Sequence, residues 1–147
     1  MSRNDPLNLV ALDGDDLQVI SACLQDGITR LVDMTYLPRQ RTFAAVFSRF
    51  RWEKSARAEQ GDERVRSGVH FNDVTRVQVN NIDQADRNGL LPLLAVTAEE
   101  GEAGALITLA FAGNGTIRLS AGCIDAQLMD MGHPWLAQSR PSHPNED

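Results

Sequence analysis

Two hydrophobic periods alternate along the chain. Leu7–Leu12 is a short apolar run that ends at a polar cluster, so it reads as a strand. Asp13 then stands where an N-cap belongs, and Asp15 and Asp16 suit the positive end of a helix dipole. Leu17, Ile20 and Leu24 keep helical spacing, with Val19 and Cys23 widening the stripe, and Gly27 follows in the place of a C′ residue. The spacing predicts a helix over 14–26.

From Ile28 the period becomes two. Ile28, Val32, Met34 and Tyr36 share one face up to Leu37, and Pro38–Arg41 makes a turn. Thr42–Trp52 continues as a long strand with Val46, Phe50 and Trp52 as its inward candidates. Glu53–Glu63 is polar, lacks an apolar stripe and reads as a solvated loop. Val65–Phe71 follows with Val65, Val69 and Phe71 inward; Asn72-Asp73 interrupts it, and Val74–Val79 resumes. Leu90–Ala98 is nearly continuously apolar, with Pro92 marking an edge strand or a strand start. After the acidic turn Glu99–Gly104, the runs Leu106–Ala112 and Thr116–Cys123 flank Gly113-Asn114-Gly115, a strong hairpin signal. Ile124, Leu128 and Met131 return to helical spacing and predict a short closing helix before Gly132, Pro134 and a Pro-containing tail.

This order predicts an α+β fold: a mostly antiparallel sheet of seven to eight strands, an N-terminal helix and a short C-terminal helix. Two architectures fit. One is a small pleckstrin-homology-like barrel, its edge problem solved by near-closure with the last helix over the opening. The other is a flat sheet with both helices on one face. The barrel is preferred because both faces of Thr42–Trp52 carry large apolar side chains. The expected organisation is a single globular domain over 1–136 and a flexible C-terminal tail over 137–147.

Composition narrows the function classes. The chain has 147 residues, 42% of them apolar and 23% charged, which suits one globular domain. A net charge of −6 argues against general nucleic-acid binding, which needs a basic footprint. No stretch is long enough for a membrane span, and Met1–Pro6 carries no signal-peptide or lipidation pattern, so a cytoplasmic protein is expected. Cys23 and Cys123 lie far apart in apolar stretches and read as buried small hydrophobes.

Several segments carry a family likeness. They are Leu9-Val-Ala-Leu-Asp13 followed by Asp16-Leu17, Tyr36-Leu-Pro38, Arg49-Phe-Arg-Trp-Glu53, His70-Phe71, Phe111-Ala-Gly113, Cys123-Ile124 and Pro134-Trp135. In this combination the chain resembles the bacterial domain-of-unknown-function family numbered 2948, over nearly its whole length. The resemblance implies bacterial origin and a single domain, and it brings no activity. The stretch His70–Val77 and the closing Ile117-Arg-Leu119…Leu128 pattern are also similar, in a generic way, to bacterial pleckstrin-homology-like domains.

Charge is uneven. Between Arg39 and Arg66 stand eight basic residues and four acidic ones, so this segment is +4 and the remainder −10. If the two strands of this segment pair with their apolar sets aligned, Arg49 and Arg51 fall on one outer face with Arg64, Arg66 and His70. Such a face suits a phosphate, a carboxylate or an acidic partner surface; the alternative is arginines that keep an exposed strand soluble. His70, His133 and His143 lack metal-site spacing, and no Gly-x-Ser-x-Gly elbow or phosphate loop is present, so no catalytic residue, metal site or cofactor is assigned. The acidic runs at Asp13–Asp16 and Glu99–Glu102 read as helix capping and a turn.

The functional expectation is a non-enzymatic module that contacts a protein partner or small anionic ligand through its arginine-bearing hairpin. The alternative is a small enzyme or accessory subunit with an unrecognised active site. A homodimer stays open, with Trp135 and Leu136 as the first interface residues to test.

Overall fold

A computed structural model describes residues 6–51 and 63–136, with side chains through 132. Its order is β1 (Asn8–Ala11), α1 (Gly14–Leu24), β2 (Ile28–Thr29), a 3-10 turn (Leu31–Asp33), β3 (Met34–Leu37), β4 (Thr42–Phe50), β5 (Glu63–Phe71), β6 (Val74–Asn80), β7 (Leu91–Gly101), β8 (Gly104–Phe111), β9 (Thr116–Ala121) and β10 (Ala126–Leu136).

Helix α1 starts as expected. The Asp13 carboxylate accepts from the Asp16 N–H at 2.8 Å, and Leu17, Ile20 and Leu24 are buried. It ends at Leu24, and the left-handed residue beyond it is Asp26 (φ 64) rather than Gly27. Gly27 is required for a different reason. Its N–H donates to the Leu24 carbonyl at 2.8 Å, and a Cβ there would stand 2.8 Å from that same oxygen.

All pairings within the sheet are antiparallel, in the order β1-β10-β5-β4-β2-β7-β8-β9-β6, with β3 also on β4. The two-residue β2 is the joint between two halves, β1-β10-β5-β4, with β3 on β4, and β7-β8-β9-β6. Beyond it, α1 covers the edge of β7: the Val96 N–H donates to Ser21 Oγ at 2.8 Å, and Leu93 exchanges hydrogen bonds with Asp26 and Gly27. Pro92 falls at the start of β7, where a missing N–H costs least. The Gly113-Asn114 hairpin is present, both residues having positive φ. One continuous apolar core lies between the halves, with Phe47, Phe71, Leu109, Leu119 and Leu128 each fully buried.

Three expectations are corrected. The sheet has ten strands, because Ile28–Leu37 is interrupted by the 3-10 turn and the C-terminal segment adds another. That segment is β10, not a helix: Ile124, Ala126 and Leu128 are all buried at a spacing of two, and Met131 is exposed. The sheet is open, with β1 and β6 as its two ends, so no closing helix completes a barrel among the described residues. No helix among them is long and apolar enough to cross a membrane. The expected loop at 53–63, apart from Glu63 itself, and the tail 137–147 lie outside the described residues, as do Trp52 and the side chains of Trp135 and Leu136.

Candidate functional site

The parity of β4 decides where the arginines go. Phe43, Ala45, Phe47, Arg49 and Arg51 are the buried positions, so the odd residues face inward and the expected even set (Val46, Phe50) faces out. In β5 the expected parity holds: Val65, Ser67, Val69 and Phe71 are buried. Arg49 and Arg51 are therefore on the opposite face of the sheet from Arg64, Arg66 and His70. The five residues do not form one cluster.

Arg49 is fully buried and forks onto Asp130 of β10, whose side chain is 4% exposed. Its Nη2 lies 2.9 Å from both carboxylate oxygens and its Nε 3.1 Å from Oδ1. Arg49 Nε also donates to Ser67 Oγ at 2.9 Å, and the Ser67 hydroxyl donates to Asp130 Oδ1 at 2.7 Å. Arg49 Nη1 reaches the Phe50 carbonyl, and the Leu7 N–H donates to Asp130 Oδ2, both at 2.9 Å. A buried charge is tolerable only when its remaining hydrogen-bonding sites are filled in this way. The network ties together β4, β5, β10 and the chain entering β1. Beside it, Arg51 pairs with Glu63 at 2.7 Å at the end of the β4–β5 pair where residues 52–62 join the two strands. Asp130, Ser67 and Glu63 were not among the expected site residues. The one signal for them was Ser67, a polar residue in the line of Val65 and Val69.

On the outer face Arg64 is half-committed. Its guanidinium lies over the Phe50 ring at 4.1 Å from the centroid, and its Nε donates to Ser48 Oγ at 2.8 Å. Desolvation holds its pKa below the ordinary arginine value, partly offset by the Asp26 carboxylate. His70 is half-buried between Gln127 of β10 and Ala44 of β4. Arg66 is exposed, between Met131 and Ser48, with no ion pair or hydrogen bond to any described residue. Around it the outward rows carry exposed apolar side chains: Met131 at 44%, Met129 at 43% and, on β1, Val10 at 55%. Met131 lies over Gly68, its sulfur 3.2 Å from where a Cβ would stand.

Residues 7–143 match the model of the family described as protein of unknown function (DUF2948). The chain belongs to that family. Comparison with curated proteins and with solved structures gave no significant match. The family match spans both buried ion pairs and the whole outer face.

Elsewhere a shallow trough of about 510 Å³ opens at the β7–β8 turn, with Glu99, Glu100, Thr75 and Ser120 on its wall. Among the described residues no three His, Cys, Asp or Glu side chains stand together to hold a metal. Cys123 is exposed rather than buried, its Sγ 3.7 Å from Asp73 Oδ2. Cys23 is half-buried.

Proposed function

We propose that this protein is an interaction module whose contact surface is the outer face of β1, β10, β5 and β4. One observation carries the reading: three exposed large apolar side chains, Val10, Met129 and Met131, share that face with the exposed, unengaged Arg66. Isolated exposed apolar residues need no explanation, but neighbouring ones on one sheet face favour burial against another surface. Methionine adapts its shape to a partner, and arginine adds a planar fork for carboxylates. The apolar content favours a protein surface bearing acidic groups over a small anion.

The proposal keeps only part of the expected arginine set. Arg49 and Arg51 hold the hairpin from within, which leaves Arg66, with His70 two outward positions further along β5 and Arg64 at the margin, to meet a partner. The test is affinity capture from cell extract, followed by direct binding of the purified partner to wild type, Arg66→Glu and Met129→Ser/Met131→Ser. Loss of binding at least ten-fold in these variants, with the fold retained, is expected. Undiminished binding would overturn the assignment of this face.

A further inference from the structure

The outer face has opposite charge at its two ends. Along β5 its outward positions run Arg66, Gly68 and His70, and along β10 they run Met131, Met129 and Gln127; the half-buried Asn72 and Asp125 follow just beyond the two strand ends. The end rows are joined by backbone hydrogen bonding, since the Asn72 N–H donates to the Asp125 carbonyl at 2.8 Å. On β1 the corresponding series is Asn8, Val10 and the exposed Leu12, followed directly by the exposed Asp13, Asp15 and Asp16 of the α1 entrance. Arg66 and Asp125 are thus separated by six residues of strand, about 20 Å at the usual rise. Val10, Met129 and the half-buried Val46 lie between them. Arg41 pairs with Asp73 at 3.6 Å beside the acidic end, and Asp26 acts on Arg64 beside the basic one.

A surface with this layout is complementary to itself. Two copies stacked face to face about a two-fold axis running across the strands place Arg66 of each over the acidic end of the other. The row holding Met129 and Val46 then lies against the partner copy's row holding Gln127, His70 and Ala44, with Val10 beside it. The other two-fold stacking, with its axis along the strands, sets Arg66 against Arg66 with no countercharge, so electrostatics selects the first arrangement. Closed two-fold contacts are the commonest form of self-association because each favourable contact occurs twice.

We infer that the partner this face fits is a second copy of the chain, joined in a two-fold sheet-to-sheet contact in which Arg66 of each copy meets Asp125 of the other. The inference rests on the interaction reading above and names its partner.

The experiment uses a charge swap. Sedimentation equilibrium of the full chain over a concentration series is expected to show a monomer–dimer equilibrium. Arg66→Glu and Asp125→Arg each make both symmetric contacts repulsive, and each alone should weaken dimerisation about ten- to a hundred-fold. Mixing the two variants in equal amounts restores both contacts. The glutamate introduced in one variant then meets the arginine introduced in the other, while the native Arg66 and Asp125 meet at the second contact. Recovery of a one-to-one heterodimer supports the proposal. Circular dichroism and melting of each variant separate lost association from lost folding. A wild type that stays monomeric throughout, or a mixture that associates no better than its components, overturns it. If the wild type is monomeric while Arg66→Glu still loses a captured partner, only the second-copy assignment fails. If association and capture are both untouched by the variants, both readings fail.

Discussion

Replacing Asp130 with asparagine keeps the shape of the side chain and removes a carboxylate charge held against a fully buried guanidinium. In the folded protein Arg49 then loses a two-oxygen carboxylate partner, which the Ser67 hydroxyl, the Phe50 carbonyl and a neutral amide do not replace. Breaking a buried pair by removing one partner costs roughly 3–5 kcal/mol, against roughly 5–15 kcal/mol for a whole domain. At about 2–4 °C per kcal/mol for a chain of this size, the melting temperature should fall by about 6–20 °C. Arg49→Met should be comparably costly, because it strands Asp130. The double variant Arg49→Met/Asp130→Leu should recover most of the loss, short of about 1–3 kcal/mol for the Ser67 hydroxyl and Leu7 amide that lose their acceptor. Urea titration followed by circular dichroism, run as a double-mutant cycle, measures the coupling. If Asp130→Asn costs under about 1 kcal/mol, as a solvent-exposed pair would, or if the two single losses simply add, the reasoning is wrong.

Two further outcomes follow from local geometry. Gly104 has φ +129, and a Cβ there would collide with the Ala121 carbonyl in the neighbouring strand, so Gly104→Ala should destabilise by roughly 1–3 kcal/mol in the same urea assay; a neutral substitution would show that the β8–β9 spacing is looser than described. Desolvation and the neighbouring Asp73 and Asp125 carboxylates hold the Cys123 thiol above its ordinary pKa, so less thiolate is present at any given pH. Alkylation of Cys123 in a Cys23→Ala background should therefore be slower than that of a free thiol at pH 8, with a pH–rate midpoint that moves down in Asp73→Asn. An unmoved midpoint would remove Asp73 as a cause.

The elements whose side chains have one unambiguous inward set were legible in the sequence. Asp13 and the Leu17–Ile20–Leu24 stripe define α1, and the Gly113-Asn114 turn defines the β8–β9 hairpin. The misreadings share one physical cause, which is that two patterns fit the same residues. Ile124, Leu128 and Met131 satisfy a helical period, yet Ile124, Ala126 and Leu128 also satisfy a period of two, and only pairing with β1 and β5 selects the strand. In β4 both parities are apolar, Phe43 and Phe47 on one side and Val46 and Phe50 on the other, so hydrophobicity alone leaves the inward face undetermined. The candidate site depended on that choice. Arg66 and His70 were placed on the outer face because β5 has a single apolar parity, whereas Arg49 and Arg51 went inward with the odd residues of β4.

The same ambiguity gives the buried fork a structural purpose beyond stability. A one-residue slip of β4 would exchange its two apolar sets at little hydrophobic cost, since each set has large side chains to bury. It would also turn Arg49 away from Asp130 and leave the carboxylate facing the core beside Ser67, with a buried charge unpaired. The penalty of roughly 3–5 kcal/mol falls on the slipped register and not on the native one. Arg49 and Asp130 therefore act as a register key for the β10–β5–β4 sheet, and by fixing which β4 residues face out they determine the composition of the outer face. The +4 segment of the sequence divides accordingly: two of its arginines pair on the inward side with Asp130 and Glu63, and Arg66 pairs with no described residue on the surface where a partner would meet it.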